Sequence, residues 1–326
     1  MSEDIIAAIK ERLREAEKIL IASHVRPDGD AVGSLLGLGL ALEMAGKTVQ
    51  TVLVDGMSSN FRYLEGSDRV RKEPQADFDT FISVDCADFE RLGKPFQSFR
   101  EPDINIDHHI TNERFGKINL IEEQAVATAS ILAEFLPVWG YEITRPVAAA
   151  LLTGIITDTL GFRTSNITPK ALRQSADLMA TGVNMSDVYM RGLVHRSFSA
   201  ARYWGAGLSK LRSSDGIVWS VLSLEDRKAA GYGGNDDADL INMISAIENH
   251  KVGMIFVEQN DNLVKVSWRA LELGVDISPV ATYFGGGGHA AAAGASISGA
   301  LREIQPTVLN KTKELLGLLP KKHGNV

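Results

Sequence analysis

Acidic and imidazole side chains recur where apolar segments of this sequence end. In "SHVRPDGDAVGS" (residues 23–34), His24, Asp28 and Asp30 fall within seven residues, beside a proline and a glycine. Three later segments add further candidates, namely Asp85 in "SVDCAD", Asp107, His108 and His109 in "NIDHH", and Asp158 in "GIITDT". Divalent metal ions commonly take carboxylate oxygens and imidazole nitrogens as ligands. These residue types therefore predict metal-dependent chemistry, provided that the fold brings them together.

Each aspartate by itself also has an ordinary structural explanation. Asp28 precedes a glycine, a pair typical of turns, and Asp30 can cap the helix that follows. These explanations do not account for the whole set of acidic and imidazole residues, because ligands of an open α/β sheet bind beyond the carboxyl ends of the strands. Side chains from several such ends would share one pocket.

So many ionisable side chains in one pocket require a counter-charge. Neighbouring carboxylates repel one another and raise each other's pKa unless cations neutralise them. Oxygen ligands outnumber imidazoles and thiolates are absent, which favours Mn²⁺ or Mg²⁺ over a structural zinc, and the imidazoles favour manganese. The surplus of ligands predicts two ions roughly 4 Å apart, a spacing suited to in-line displacement at phosphorus.

Alternating strand and helix patterns in the first half indicate the sheet that would position these residues. The segments that read as buried strands are "KILIAS", "TVQTVLVD", "TFISVD" and "DINID". Residues 31–46, 127–140 and 145–159 have helical patterns; a glycine ends the first, and Pro146 suits the first turn of the last. This order predicts an α/β domain with a parallel sheet.

The pattern changes after residues 168–202, which look helical, to that of a smaller mixed α/β domain. A strand follows an Asp-Gly turn, a hairpin turn is predicted at residues 260–262, and a final helix begins near Leu301. The predicted boundaries are 1–190 for the first domain, 191–210 for a connector and 211–326 for the second domain. A chain of 326 residues is long enough for two domains with an active site in the cleft between them.

Composition narrows the function classes. The net charge of −7 argues against a protein that coats long nucleic acid, although a short phosphorylated substrate remains compatible. Cys86 is the single cysteine, so no internal disulfide is expected, and we expect it to be a small buried residue and not a nucleophile. No signal segment or membrane span is apparent, so we expect a cytoplasmic protein without membrane association.

Four motifs, in this order and at these separations, resemble those of the DHH phosphoesterase family over about residues 1–191: "SHVRPDGDAVGS", "VDCAD", "DHH" and "TGIITDT". In the second half, "VSWRA" and "GGGGHAAAAG" resemble the DHH-associated domain. Within the family, the whole chain is similar to bacterial enzymes that degrade short oligoribonucleotides and dephosphorylate pAp.

The resemblance implies a role for each candidate ligand. One ion would be bound by His24, Asp28 and Asp85, and the other by Asp30, Asp85, His108 and Asp158, so that Asp85 bridges the two. His109 would face the substrate as a proton donor or transition-state stabiliser, and Asp107 would orient the histidine pair. The sequence departs from many relatives at Arg26, where they have asparagine.

The glycine-rich segment is the candidate for holding the substrate. Glycines allow the backbone to approach a phosphate closely, and the small residues that follow could start a helix whose positive end helps. The alternative from composition alone is a flexible turn with alanines packed on the sheet. By the resemblance, the substrate-binding residues are Arg269, Gly286, Gly287, Gly288 and His289.

The resulting functional hypothesis is a two-metal, Mn²⁺-dependent enzyme, with Mg²⁺ as the other candidate ion. It would release nucleoside monophosphates from short 5′-phosphorylated oligonucleotides or dinucleotides and also act on pAp. The alternatives are a linear or cyclic dinucleotide phosphodiesterase in signalling and a metal- and nucleotide-binding protein without turnover. Relatives of this type form homodimers in some cases, but nothing in the sequence establishes an interface.

Overall fold

A computed structural model describes residues 3–75, 77–259 and 262–318 of the chain. The chain divides into two compact units, one ending at His195 and the other beginning at Arg196. Within the described ranges no helix is both long and apolar enough to cross a membrane.

The first unit is built on a five-stranded sheet in which every strand pair is parallel. The strands lie in the order β2-β1-β3-β4-β5. Their bounds are β1 Lys18–Ala22, β2 Thr48–Val52, β3 Thr80–Val84, β4 Ile104–Asp107 and β5 Ile118–Ile121. The predicted parallel sheet is therefore confirmed. Its fifth strand was not predicted, because β5 is a short, mostly half-buried edge strand between polar residues.

In the described part of the first unit, six α-helices accompany this sheet. They are α1 Glu3–Glu15, α2 Gly29–Met44, α3 Thr128–Trp139, α4 Arg145–Asp158, α5 Pro169–Ala180 and α6 Met185–Tyr189. A π-helical turn, Met190–Val194, continues α6, and four short 3₁₀ turns fall at Ser59–Phe61, Ser67–Arg69, Glu90–Leu92 and Lys94–Phe96. Pro146 lies in the first turn of α4, as the sequence predicts.

Helix α2 is buried almost throughout and packs closely against α4. Glycines permit this approach. A Cβ atom added to Gly33 of α2 would lie 2.5 Å from the carbonyl oxygen of Ala150 in α4. A Cβ added to Gly154 of α4 would lie 2.5 Å from the Cβ of Ala129 in α3. Helices α2, α3 and α4 therefore pack closely together, without large side chains between them, beside the loops that carry the acidic residues.

The second unit contains a mixed six-stranded sheet in the order β10-β11-β9-β8-β7-β6, in which only the pair β7–β8 is parallel among the described residues. The strands are β6 Arg212–Ser214, β7 Ile217–Leu222, β8 Val252–Glu258, β9 Leu263–Ala270, β10 Gly287–Gly288 and β11 Ala292–Ser298. The helices are α7 Phe198–Leu208, α8 Leu224–Ala230, α9 Leu240–Ile244, α10 Ser278–Tyr283 and α11 Leu301–Leu315. The predicted smaller mixed domain is confirmed.

Two sequence predictions in this unit have different outcomes. Strands β8 and β9 pair antiparallel as predicted, whereas residues 260 and 261 of the predicted turn lie outside the described residues. The helix start suggested for the small-residue run directly after the four glycines is wrong, because residues 292–298 form strand β11, paired with β9, whereas the predicted final helix does begin at Leu301. Pairing with a neighbouring strand outweighs the helix preference of alanine here.

Candidate active site

The loops that follow β1, β3 and β4 bring the predicted residues to one edge of the first unit's sheet. His24 and Asp28 lie between β1 and α2, Asp85 follows β3, and Asp107 ends β4. Asp158 is the last residue of α4. This is the edge at which α/β sheets bind their ligands.

The first cluster consists of His24, Asp28 and Asp85. The Nε2 atom of His24 lies 3.5 Å from Oδ2 of Asp85 and 4.0 Å from Oδ1 of Asp28. The other ring nitrogen, Nδ1, lies 2.8 Å from the carbonyl oxygen of Val25, which turns Nε2 towards the carboxylates. Asp28 also caps α2, because its Oδ1 accepts hydrogen bonds from the amides of Asp30 and Ala31. The capping explanation and the ligand prediction are therefore compatible.

The second cluster is centred on His108. Its Nε2 atom lies 3.6 Å from Oδ2 of Asp158, 3.8 Å from Oδ1 of Asp85 and 3.9 Å from Oδ2 of Asp30. At a bond length of about 2.1 Å, two atoms bound to one ion lie about 3.0 Å apart at a right angle and about 4.2 Å apart on opposite sides. The distances from His24 and His108 to the carboxylate oxygens fall between these limits. The donor set therefore fits divalent ions, and Asp85 belongs to both clusters.

Asp30 is held in place by the start of α3, a helix that is remote in sequence. Its Oδ2 accepts the amide of Thr128 at 2.6 Å, and its Oδ1 accepts the amide of Ala129 and the hydroxyl of Ser34. The residue before α3, Ala127, has no side chain that can cap the helix. Asp30 therefore supplies the missing cap, and only Oδ2 retains a lone pair for a further ligand.

The carboxylates in this site repel one another. Burial and the charges of Asp85, Asp158 and Asp28 raise the pKa of Asp30 well above its usual value. Burial, together with the charges of Asp28 and Asp85, raises the pKa of Asp158 to about 7, although His108 opposes the shift. A cation bound between these groups would remove this penalty.

Asp85 and His24 behave as a charge pair. Burial opposes ionisation of Asp85, but the hydrogen bond and charge of His24 outweigh burial, and the pKa of Asp85 is lowered. Burial likewise opposes protonation of His24, yet Asp85 raises the pKa of that imidazole. Asp85 has φ = 53°, in the left-handed region that aspartate tolerates better than most residues.

His109 is oriented by a buried carboxylate. Its Nδ1 lies 2.7 Å from Oδ1 of Asp107, which is fully buried and also accepts the amide of His108. Asn112 donates to Oδ2 of Asp107 at 2.6 Å. Burial disfavours the charged ring of His109, but Asp107 and the nearby carboxylate of Asp85 outweigh burial and raise its pKa to about 9. The other ring nitrogen, Nε2, is thus directed away from Asp107.

The predicted substrate-binding residues lie in the second unit. Arg269, in β9, is half-buried; its Nη1 donates to the carbonyl oxygen of Trp268 at 3.0 Å, and burial lowers its pKa. Ala292 faces Arg269 across the strand pair. His289 lies in the turn that joins β10 to β11, where its amide donates to the carbonyl oxygen of Ala292. The structure therefore places Arg269 and His289 at the same end of the sheet.

The glycines of the segment have different local requirements. A Cβ added to Gly286 would lie 2.2 Å from the carbonyl oxygen of Gly294, and one added to Gly288 would lie 2.4 Å from that of Ala292. Gly288 also has φ = 143°. A Cβ on Gly287 would meet nothing within 4 Å. Close packing therefore explains Gly286 and Gly288 without a ligand, whereas it does not explain Gly287.

Comparison with known proteins identifies the family. Residues 18–155 match the family described as "DHH family, N-terminal domain", and residues 227–316 match the "DHHA1 domain". A protein of Thermus thermophilus named "Bifunctional oligoribonuclease and PAP phosphatase NrnA" is 36% identical over 91% of this chain and 90% of its own length. This chain belongs to the DHH family. The family resemblance read from the four motifs is confirmed, and so is the prediction of a hydrolase.

Solved structures of related proteins have the same fold as this DHH protein. An exopolyphosphatase-related protein from Bacteroides fragilis superposes with a TM-score of 0.89 at 25% identity, covering 97% of this chain and 98% of its own. The exonuclease RecJ, crystallised with manganese, has a TM-score of 0.53 at 14% identity, covering 99% and 96%. At that identity the second likeness concerns the fold alone.

Sequence reasoning missed two residues that this DHH protein uses to hold its acidic cluster. The Oγ1 atom of Thr128 donates to Asp85 at 3.0 Å while its amide donates to Asp30, so one residue ties two carboxylates together. Asn112 fixes Asp107. The sequence did contain one indication of the role of Thr128: the residue before it is an alanine, which cannot cap the helix that begins there, so the cap must come from elsewhere in the chain. Cys86 is buried, as expected, and burial raises the pKa of its thiol.

Proposed function

We propose that this protein is a manganese-dependent phosphohydrolase that degrades short 5′-phosphorylated oligoribonucleotides to nucleoside monophosphates and also dephosphorylates pAp. The observation that carries the proposal is the set of overlapping ligand groups at the edge of the sheet, in which Asp85 lies close to both His24 and His108. The name of the Thermus thermophilus relative supports the substrate class. The manganese in RecJ and the imidazoles in both clusters support the choice of ion.

In this proposal His24, Asp28 and Asp85 hold one ion, and Asp30, Asp85, His108 and Asp158 hold the other. When bound, the ions would neutralise charge on the phosphate and lower the pKa of an attacking water. The chain's own contribution is to keep the ligands rigid. Thr128 and the start of α3 fix the orientations of Asp30 and Asp85 before any substrate binds.

We propose that His109 donates a proton to the leaving group. Asp107 accepts the Nδ1–H hydrogen bond and so fixes the ring orientation, and the charged ring carries a second proton on Nε2, which it can donate to the oxygen that departs from phosphorus. In the charged form, His109 would also stabilise negative charge that develops on the phosphoryl oxygens. Asp107 acts as a positioning residue through the histidine.

Arg269, Gly287 and His289 are proposed to bind the terminal phosphate and nucleotide of the substrate. A guanidinium can form two parallel hydrogen bonds with a phosphate, and an unobstructed glycine exposes its amide. Recognition of one phosphate by these residues and hydrolysis of another at the acidic clusters would favour substrates a few nucleotides long.

The test is a substrate panel with purified protein and Mn²⁺ or Mg²⁺. It contains 5′-labelled RNA of two, five and twenty nucleotides, pAp, a cyclic dinucleotide and pyrophosphate. We expect the two- and five-nucleotide RNAs to be cleaved faster than the twenty-nucleotide RNA, and pAp to be hydrolysed as well. Preference for the longest RNA, for the cyclic dinucleotide or for pyrophosphate would contradict the proposed substrate.

Two variants test whether the acidic clusters perform the reaction. Asp85→Asn removes the carboxylate shared by both clusters while keeping the size of the side chain, and it should lose hydrolysis of every substrate. Asp68→Asn is the matched control, because Asp68 is an exposed aspartate of the same unit outside the site. Undiminished hydrolysis by a correctly folded Asp85→Asn protein would refute the assigned site.

A further inference from the structure

Strand β9 presents two chemically different faces. Val264, Val266 and Trp268 are fully buried in the core formed with α10 and α11. The alternate residues Lys265, Ser267 and Arg269 are only partly buried. Because successive side chains of a strand point to opposite faces, these three share the face opposite α10 and α11.

The same face continues onto β11 without large side chains. Register pairs Arg269 with Ala292, Ser267 with Gly294, and Lys265 with Ser296. We call the face formed by these six residues the polar strip. Its side chains are either small or basic, and none is an acid.

The helices on this side of the sheet cover other strands. Ile255 and Val257 of β8 pack with Leu240 and Ile244 of α9 in a separate core. No member of the polar strip belongs to that core or to the core of α10 and α11. In the second unit, the described residues therefore leave the polar strip without an apolar covering element.

Lys265 has no ion-pair or hydrogen-bond partner for its ammonium group among the described residues. Arg269, by contrast, donates to a backbone carbonyl oxygen and is influenced by the charges of Asp237 and Asp239. Successive side chains on one face of a strand lie about 6.7 Å apart, so the Cα atoms of Lys265 and Arg269 are separated by about 13 Å. Ser267, between them, offers a hydroxyl and little bulk.

We propose that Lys265 binds a third phosphate of the substrate, in addition to those held by the acidic clusters and by Arg269, and so favours substrates with three or more phosphates. The inference rests on the proposed function. In pAp or a 5′-phosphorylated dinucleotide there are two phosphates, one for the acidic clusters and one for Arg269. A third phosphate has no partner in that arrangement, and Lys265 supplies one on the same face.

The test compares the KM of wild type and Lys265→Met for pAp, for a 5′-phosphorylated dinucleotide and for a 5′-phosphorylated trinucleotide. Methionine keeps the aliphatic stem and removes the charge. We expect the KM for the trinucleotide to rise about 3- to 10-fold more than the KM for pAp. The salt dependence of trinucleotide binding should also weaken by somewhat less than one unit of slope.

Two further variants distinguish the effect of the charge at residue 265 from general effects of replacing a lysine. Lys228→Met removes an exposed lysine on α8 of the same unit and should leave all three KM values unchanged. Lys265→Arg should restore most of the preference for the trinucleotide. Equal effects of Lys265→Met on all substrates, or no effect on any, would overturn the proposal.

Failure of the proposed function is recognised separately. If wild-type protein hydrolyses neither pAp nor the dinucleotide, the substrate class is wrong, and both proposals fall. If it hydrolyses both but Lys265→Met handles the trinucleotide as wild type does, only the role of Lys265 is wrong. Circular dichroism melts of each variant exclude misfolding as the cause.

Discussion

Replacing Gly154 by alanine tests whether close helix packing holds the acidic cluster. The added Cβ would lie 2.5 Å from the Cβ of Ala129 and 2.7 Å from Oδ1 of Asp30. Neither neighbour can move freely, because Ala129 is part of α3 and Asp30 accepts the amides of Thr128 and Ala129. Asp30 must therefore shift away from at least one amide, or the helices must separate.

The cost follows from three effects. Overpacking of a close contact destabilises by about 1–3 kcal/mol, and loss of a hydrogen bond to a charged group adds about 1.5–3 kcal/mol. Alanine offsets about 1 kcal/mol of this through its higher helix propensity. We expect a net loss of about 1.5–5 kcal/mol in the free energy of unfolding of the first unit. At about 2–4 °C per kcal/mol for a unit of this size, its melting temperature should fall by about 3–20 °C.

The assay is differential scanning calorimetry without metal, together with hydrogen exchange resolved by peptide. Gly205→Ala is the control, since Gly205 is an exposed glycine of helix α7 and a Cβ there meets nothing within 4 Å. That substitution should leave the melting temperature unchanged or raise it slightly. In Gly154→Ala, faster exchange should be concentrated in α3 and α4. A Gly154→Ala protein as stable as wild type would refute the argument from close packing.

Three further outcomes are expected. Mn²⁺ at a hundred times its dissociation constant should stabilise the wild-type protein by about 2.7 kcal/mol, and Asp85→Asn should lose most of that gain in a thermal-shift titration. Burial opposes ionisation of Asp103, but the hydrogen bond from Arg100 outweighs it and lowers the pKa of Asp103 to about 2. The resulting stability is present above the unfolded pKa of about 3.9 and is lost as pH falls towards 2, so the drop in the urea midpoint between pH 5 and pH 3 should be smaller for Asp103→Asn than for wild type. Gly286→Ala should destabilise the second unit, whereas Gly287→Ala should melt like wild type but raise KM for pAp; equal melting of the two variants would contradict the close approach at Gly286.

Local patterns in the sequence were sufficient to predict much of the first unit. Its first four strands are apolar runs, and some helix starts and stops have a local marker, such as Pro146 or the glycine after α2. The candidate ligands could be named because polar residues end these runs. Parallel pairing then places the ends at one edge, so the clustering of His24, Asp85 and His108 follows from the strand order alone.

Other features depend on contacts between distant residues and have no local signature. The pairing of β11 with β9 determines that an alanine- and glycine-rich segment is a strand, although its composition suggested a helix. The short strand β5 is defined by its partner β4. In both cases the hydrogen bonds that stabilise the segment come from another part of the chain.

The precise geometry of the candidate site was likewise decided by tertiary structure. The sequence by itself determined which side chains could bind metal, because ligand chemistry is a property of the residue type. It did not determine that Asp30 caps a helix almost a hundred residues away, or that Thr128 joins Asp30 to Asp85. Those contacts arise only when α2, α3 and α4 pack at backbone distance, since burial and hydrogen bonding then act on residues that no local pattern connects.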